Sequence, residues 1–157
     1  MQSINSYILI QGIICAIINM IVNPGMSWLS NRRMEFTPIA GIVIDMTITC
    51  LIMSAAITFF TTSGVREALK AGNIKGGDSH FTGKSLSRLP RKWWALGILL
   101  GFIFAILLVP MTIVIFTAAG LCGLSFLWLV IFKAIYTGSM AFIVTALVIL
   151  RQIEALQ

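Results

Sequence analysis

The sequence predicts an all-α integral membrane protein: four transmembrane helices arranged as two helical hairpins, joined by a basic cytoplasmic loop. Three observations carry that expectation. The 157 residues are 59% hydrophobic and only 10% charged, with a mean hydropathy of +1.00, far more apolar than one soluble core can bury. The charges sit in a few short clusters instead of along exposed faces. Each stretch between clusters is long enough, at about 1.5 Å per residue, to cross roughly 30 Å of hydrocarbon. Residues 1–157 therefore read as a single transmembrane domain.

The first helix is expected at about 4–29, where an apolar run from Ile4 to Leu29 is interrupted by Asn23, Pro24 and Gly25 and closed by Asn31, Arg32 and Arg33. No Lys or Arg precedes it, so it lacks the basic segment of a signal peptide and is expected to be retained. The second, at about 37–64, opens on Thr37 and Pro38, proline being well tolerated in a first helical turn. The third, at about 93–119, opens on Trp93 and Trp94 directly after Arg91 and Lys92, the pairing of aromatic and cation found at membrane interfaces. The fourth, at about 121–150, stops at Arg151.

The loop at 65–92 is the one long polar stretch. It carries Arg66, Lys70, Lys75, Lys84, Arg88, Arg91 and Lys92 against Glu67 and Asp78. By the positive-inside rule this loop, and with it both termini, faces the cytoplasm of a plasma (inner) membrane. Anionic lipid headgroups are its expected partner. The net charge of +6 is concentrated here and at helix ends, which argues against nucleic acid. The segment GGDSHFTGKS approaches a phosphate loop, but Asp78 stands where the pattern needs glycine and no strand precedes it. His80 is the only histidine, so neither a metal nor a cofactor is expected. Cys15, Cys50 and Cys122 lie in or beside apolar runs without paired spacing and read as small buried residues.

A faint repeat emerges when the hairpins are overlaid at an offset of 86 to 88: Pro24 falls on Pro110, Asp45 near Lys133, and Glu67-Ala68-Leu69 near Glu154-Ala155-Leu156. Apolar compositions align with themselves easily, so these coincidences weigh little.

The residues pointing to chemistry are Asp45 and Lys133, ionisable side chains well inside apolar runs, where an isolated charge costs several kcal/mol. Both lie on helices entering from the outer side, at a depth of roughly 10 to 15 Å, so a direct pair is feasible. The first helix adds a stripe of Gln11, Cys15, Asn19 and Asn23 at a spacing of four. Thr37, Gly41, Asp45 and Thr49 form one on the second helix, and Ser125, Lys133, Thr137 and Thr145 one on the fourth. The candidate ligand or ion site is therefore Asp45, Lys133, Asn19, Asn23, Thr49 and Thr137, in the outer half of the membrane. Pro110 and the Asn-Pro-Gly of the first helix are expected nearby, freeing backbone carbonyls. Gly97, Gly101 and Ala105 form a stripe of small residues suited to close helix packing.

Two functions follow. One is a small oligomeric transporter or channel-like protein, with a proton or small ion coupled through Asp45. The other is an accessory subunit docked on a larger membrane complex, with Asp45 and Lys133 a structural ion pair. Lys133 snorkelling to the interface is a further alternative for that residue. A Schiff-base lysine is disfavoured because four helices are few to enclose a chromophore. An enzyme is not expected, since no histidine, paired carboxylates or polar cysteine converge at one depth.

Overall fold

The structure, a computed structural model, describes residues 3–31, 35–72, 89–90 and 92–154. Six elements follow in chain order: α1 (Ile4–Asn31), β1 (Phe36–Pro38), α2 (Ile39–Lys70), α3 (Trp93–Ala118), β2 (Gly123–Ser125) and α4 (Phe126–Glu154). All four helices are long and apolar enough to cross a membrane. Large apolar side chains such as Ile21, Phe60, Ile106 and Leu127 point outward, a surface that a bilayer solvates and water does not. This is the architecture of a multi-pass membrane protein.

α4 runs on through Arg151, where the sequence was expected to stop it, to Glu154, and the boundaries depart from expectation at two further places. α2 runs on to Lys70, so the first residues of the expected 65–92 loop are helix. It ends where Gly72 takes a φ of 68° and donates its N–H to the Leu69 carbonyl, a left-handed stop that glycine adopts without strain. Residues 73–88 and 91, with His80, the glycine-rich stretch and most basic residues of the loop, lie outside the described residues, as do Arg32 and Arg33.

Second, Thr37, Pro38 and residues 121–125 are not helical. They form an antiparallel pair of short strands, with Phe36 opposite Ser125, Thr37 opposite Leu124 and Pro38 opposite Gly123. Pro38 disfavours the helical region for Thr37 and holds it extended. Gly123 permits the approach, because a Cβ there would collide with the Thr37 carbonyl oxygen. Thr37 and Ser125 thus leave the helical stripes to which their spacing assigned them.

The helices pack in the order α1, α4, α2, α3, so the two helices of each hairpin are parted by a helix of the other. Close approach of small residues makes the outer contacts. A Cβ on Gly97 would lie 2.9 Å from the Ala55 Cα, and one on Gly101 would lie 3.0 Å from the Leu51 Cα. On the other side Gly12 packs under the Phe142 ring, and Gly138 sits against Met20 and Ala16. The small-residue stripe of α3 is therefore an internal contact with α2. In lipid no hydrophobic force drives this; dispersion between closely approaching backbones does.

These contacts repeat between the two halves of the chain, α1 on α4 matching α3 on α2. Ala55 and Phe142 are 87 positions apart, as are Leu51 and Gly138, and as are the first residues of α2 and α4. Gly12 and Gly97 are 85 apart, as are Ala16 and Gly101. The spacing is close to the one the sequence suggested, but the equivalences differ. Asp45 corresponds to Phe132 and Lys133 to Met46, while Pro24 and Pro110, 86 apart, fall one position out of step.

At the end carrying the chain termini, Arg151 is buried. It donates from Nε at 3.0 Å and Nη2 at 2.8 Å to the Leu89 carbonyl, and pairs with Glu154 at 3.4 Å. The end of α4 is thereby tied to the segment that enters α3.

Candidate functional site

Asp45 is the seventh residue of α2 and Lys133 the eighth of α4. Both helices start at the strand pair, so the two side chains lie at one depth, about 10 Å along the bundle. The Lys133 ammonium meets both Asp45 carboxylate oxygens at 2.7 Å and donates to the Ser27 Oγ at 2.6 Å. An ammonium has three N–H donors; two of them are engaged, by Asp45 Oδ1 and Ser27 Oγ. Lys133 is 7% exposed; it does not snorkel. Asp45 is open, with 42% of its side-chain surface uncovered.

That open side faces a cavity of about 330 Å³ between α1 and α2, with α4 as its floor. Asn19, Asn23, Thr49, Asp45 and Lys133 all line it, as does Ser27. On α1 the amides form a ladder. Asn23 Nδ2 donates to Asn19 Oδ1 at 3.0 Å, and Asn19 Nδ2 donates to the Cys15 carbonyl at 2.8 Å. Thr137 lies behind the ladder. Its hydroxyl is wholly buried, within 2.8 Å of the Lys133 carbonyl and 3.1 Å of the Asn19 carbonyl, so it joins α4 to α1 and does not line the cavity. Pro110 is on the far helix, α3, exposed and remote from the site.

Ser27 is the site residue that sequence reasoning missed. It continues the stripe of Gln11, Cys15, Asn19 and Asn23 by one more step of four, but lies beyond Asn23-Pro24-Gly25, where a break was expected. α1 runs through Pro24 without a break, which carries Ser27 round to Lys133.

The pseudo-equivalent groove, between α3 and α4, is built differently. Phe132 packs edge-on to Phe116 at a centroid distance of 5.5 Å and stacks on Tyr136 at 6.0 Å. The Tyr136 hydroxyl meets Cys50 Sγ. Aromatic rings thus fill one groove, where the other holds an ion pair and amides. The polar groove is a property of these side chains, because the same backbone arrangement carries an apolar version on the opposite face.

The fold and site define a four-helix, multi-pass membrane protein with an ion pair set in a laterally open, polar groove. Comparison of the chain with protein-family models, with curated proteins and with solved structures returned no match.

Proposed function

We propose that the protein is a small transport protein of the plasma (inner) membrane, working as an oligomer, in which Asp45 takes up a proton or a cationic group in the outer half of the bilayer. The observation that carries this reading is the asymmetry of the pair. Lys133 is enclosed by Asp45 and Ser27, whereas the Asp45 carboxylate faces the 330 Å³ cavity. A carboxylate left uncovered at this depth has to be solvated by whatever enters the cavity, water or a ligand, where a bridge packed on all sides would admit neither. Asn19, Asn23 and Thr49 supply further dipoles around the same space. The basic segment before α3 favours cytoplasmic termini by the positive-inside rule, and a chain this small rarely encloses a conduction pathway alone, which favours an oligomer.

One observation favours a docking role instead: the ammonium is already held within the protein by Asp45 and Ser27 at 2.6–2.7 Å, and a partner helix with polar side chains would cover Asp45 equally well. Flux separates the two. Wild type and Asp45→Asn are reconstituted in liposomes, and proton and cation movement is followed under an imposed gradient. Transport requires flux in the wild type that Asp45→Asn abolishes while far-UV circular dichroism stays unchanged. Flux absent from wild type, or indifferent to Asp45, supports the docking role.

A further inference from the structure

The groove does not end at the ion pair. Toward the end carrying the chain termini a second cavity of about 580 Å³ follows, again between α1 and α2, lined by Tyr7, Gln11 and Cys15 of α1, Thr61 and Glu67 of α2 and Thr145 of α4. The α1 ladder joins the two, because Asn19 lines the first cavity and its hydrogen-bond acceptor Cys15 lines the second. Thr145 is 1% exposed, and its hydroxyl has no hydrogen-bond partner among the described residues. A buried hydroxyl left unpaired is costly, and this one borders the second cavity.

We propose that the ligand is an amphiphilic cation, an apolar tail bearing a protonated amine, which reaches the groove sideways from the bilayer and moves between Asp45 and Glu67. This rests on the reading of Asp45 as a ligand site. α4 lies between the backbones of α1 and α2; side chains cross where Asn23 donates to Met53 Sδ at 3.5 Å and where Ile4 and Tyr7 pack with Val65, and between those crossings the groove faces the lipid chains. Its rims are apolar and exposed: Ile18 and Val22 on α1, Ile48, Ile52 and Phe60 on α2. Its floor is polar. A molecule with one polar head and an apolar tail matches that section, with the head on the floor and the tail left in lipid, whereas a free hydrated ion would meet hydrocarbon along one whole side.

The sign of the head follows from the charges. Among the described residues, the carboxylates lining the groove are Asp45 near one end and Glu67 near the other. The lysine that lines it, Lys133, is shielded by Asp45 and Ser27. A carboxylate offers about four acceptor sites, so Asp45 can accept from an added ammonium while still holding Lys133. Gln11 and the unpaired Thr145 hydroxyl offer acceptors between the two ends.

Protection of Cys15 from alkylation tests this directly. Cys122→Ser protein is reconstituted in phosphatidylcholine vesicles and treated with N-ethylmaleimide; Cys122 is the exposed cysteine and Cys50 is buried. Dodecylammonium at about ten times its dissociation constant is expected to slow Cys15 labelling about tenfold, while dodecanoate and methylammonium leave the rate unchanged. Asp45→Asn and Glu67→Gln should each weaken the protection. Glu67 is exposed near the end of α2, so its variant tests the idea even where Asp45→Asn unfolds. Equal protection by dodecanoate, full protection in Glu67→Gln, or a Cys15 that never reacts because a second copy covers the groove would each overturn the inference. Asp45-dependent cation flux without protection by dodecylammonium refutes the amphiphile and leaves the transport reading standing. Absence of both removes the two together.

Discussion

Removing either partner of the Asp45–Lys133 pair should destabilise the protein by unequal amounts, and removing both should recover most of the loss. In Asp45→Asn the Lys133 side chain, 9% exposed, keeps its charge with only Ser27 and a neutral amide to compensate it. Breaking a buried pair in this way costs about 3 kcal/mol. In Lys133→Met the orphaned carboxylate is the half-open partner, which the cavity can hydrate, and the cost is about 2 kcal/mol. The double variant leaves an amide beside a thioether with no charge to solvate, and is expected within about 2 kcal/mol of wild type. The coupling energy is then at least about 3 kcal/mol, the upper end for residues in direct contact. Unfolding by sodium dodecyl sulfate in mixed micelles, followed by circular dichroism, measures all four proteins. Losses in the two single variants that simply add in the double would refute the pairing, whatever the flux measurements give.

Three further outcomes follow from the packing. Gly97→Ala and Gly101→Ala should each cost about 1–3 kcal/mol, because the new methyl meets α2 backbone and not a movable side chain; Gly64→Ala, with open space around it, serves as the control and should not destabilise. Ser27→Ala removes one of the acceptors around the Lys133 ammonium and should cost about 1–2 kcal/mol in the same unfolding assay, an effect that vanishes in a Lys133→Met background. Arg151→Met leaves the Leu89 carbonyl without its two N–H donors. It should raise the rate of limited proteolysis just before α3 while leaving the Cys15 labelling rate unchanged.

Much of the site was legible because membrane interiors penalise polar groups so heavily. Asp45 and Lys133 stood out as charges inside apolar runs, and matched depth made them candidates for a pair; they meet at 2.7 Å. Asn19, Asn23 and Thr49 were legible from i, i+4 spacing, and all three border the cavity. Thr137 was grouped with them on the same spacing, but its hydroxyl faces backbone carbonyls of α4 and α1; spacing reports which face a residue shares, not what the neighbouring helix places against it. Ser27 was lost because proline inside a soluble helix interrupts it, whereas in a transmembrane helix the remaining hydrogen bonds have no water to exchange with, and the helix continues.

Hydropathy and charge clustering were sufficient for the number of spans and their approximate limits, because length and apolarity are one-dimensional properties of the chain. Which helices touch is a different kind of fact. Hairpin connectivity suggested that α1 would lie on α2 and α3 on α4, yet the small residues Gly12, Gly97, Gly101 and Gly138 direct the close contacts to α4 and α2 instead. The strand pair then clamps the starts of α2 and α4 side by side, which sets Lys133 opposite Asp45. Separation of α1 from α2 opened a polar groove on one face, and Phe116, Phe132 and Tyr136 closed its counterpart on the other. No local pattern encodes that difference, since it depends on side chains from three helices meeting at each groove, and shape complementarity of that kind exists only once the helices have packed.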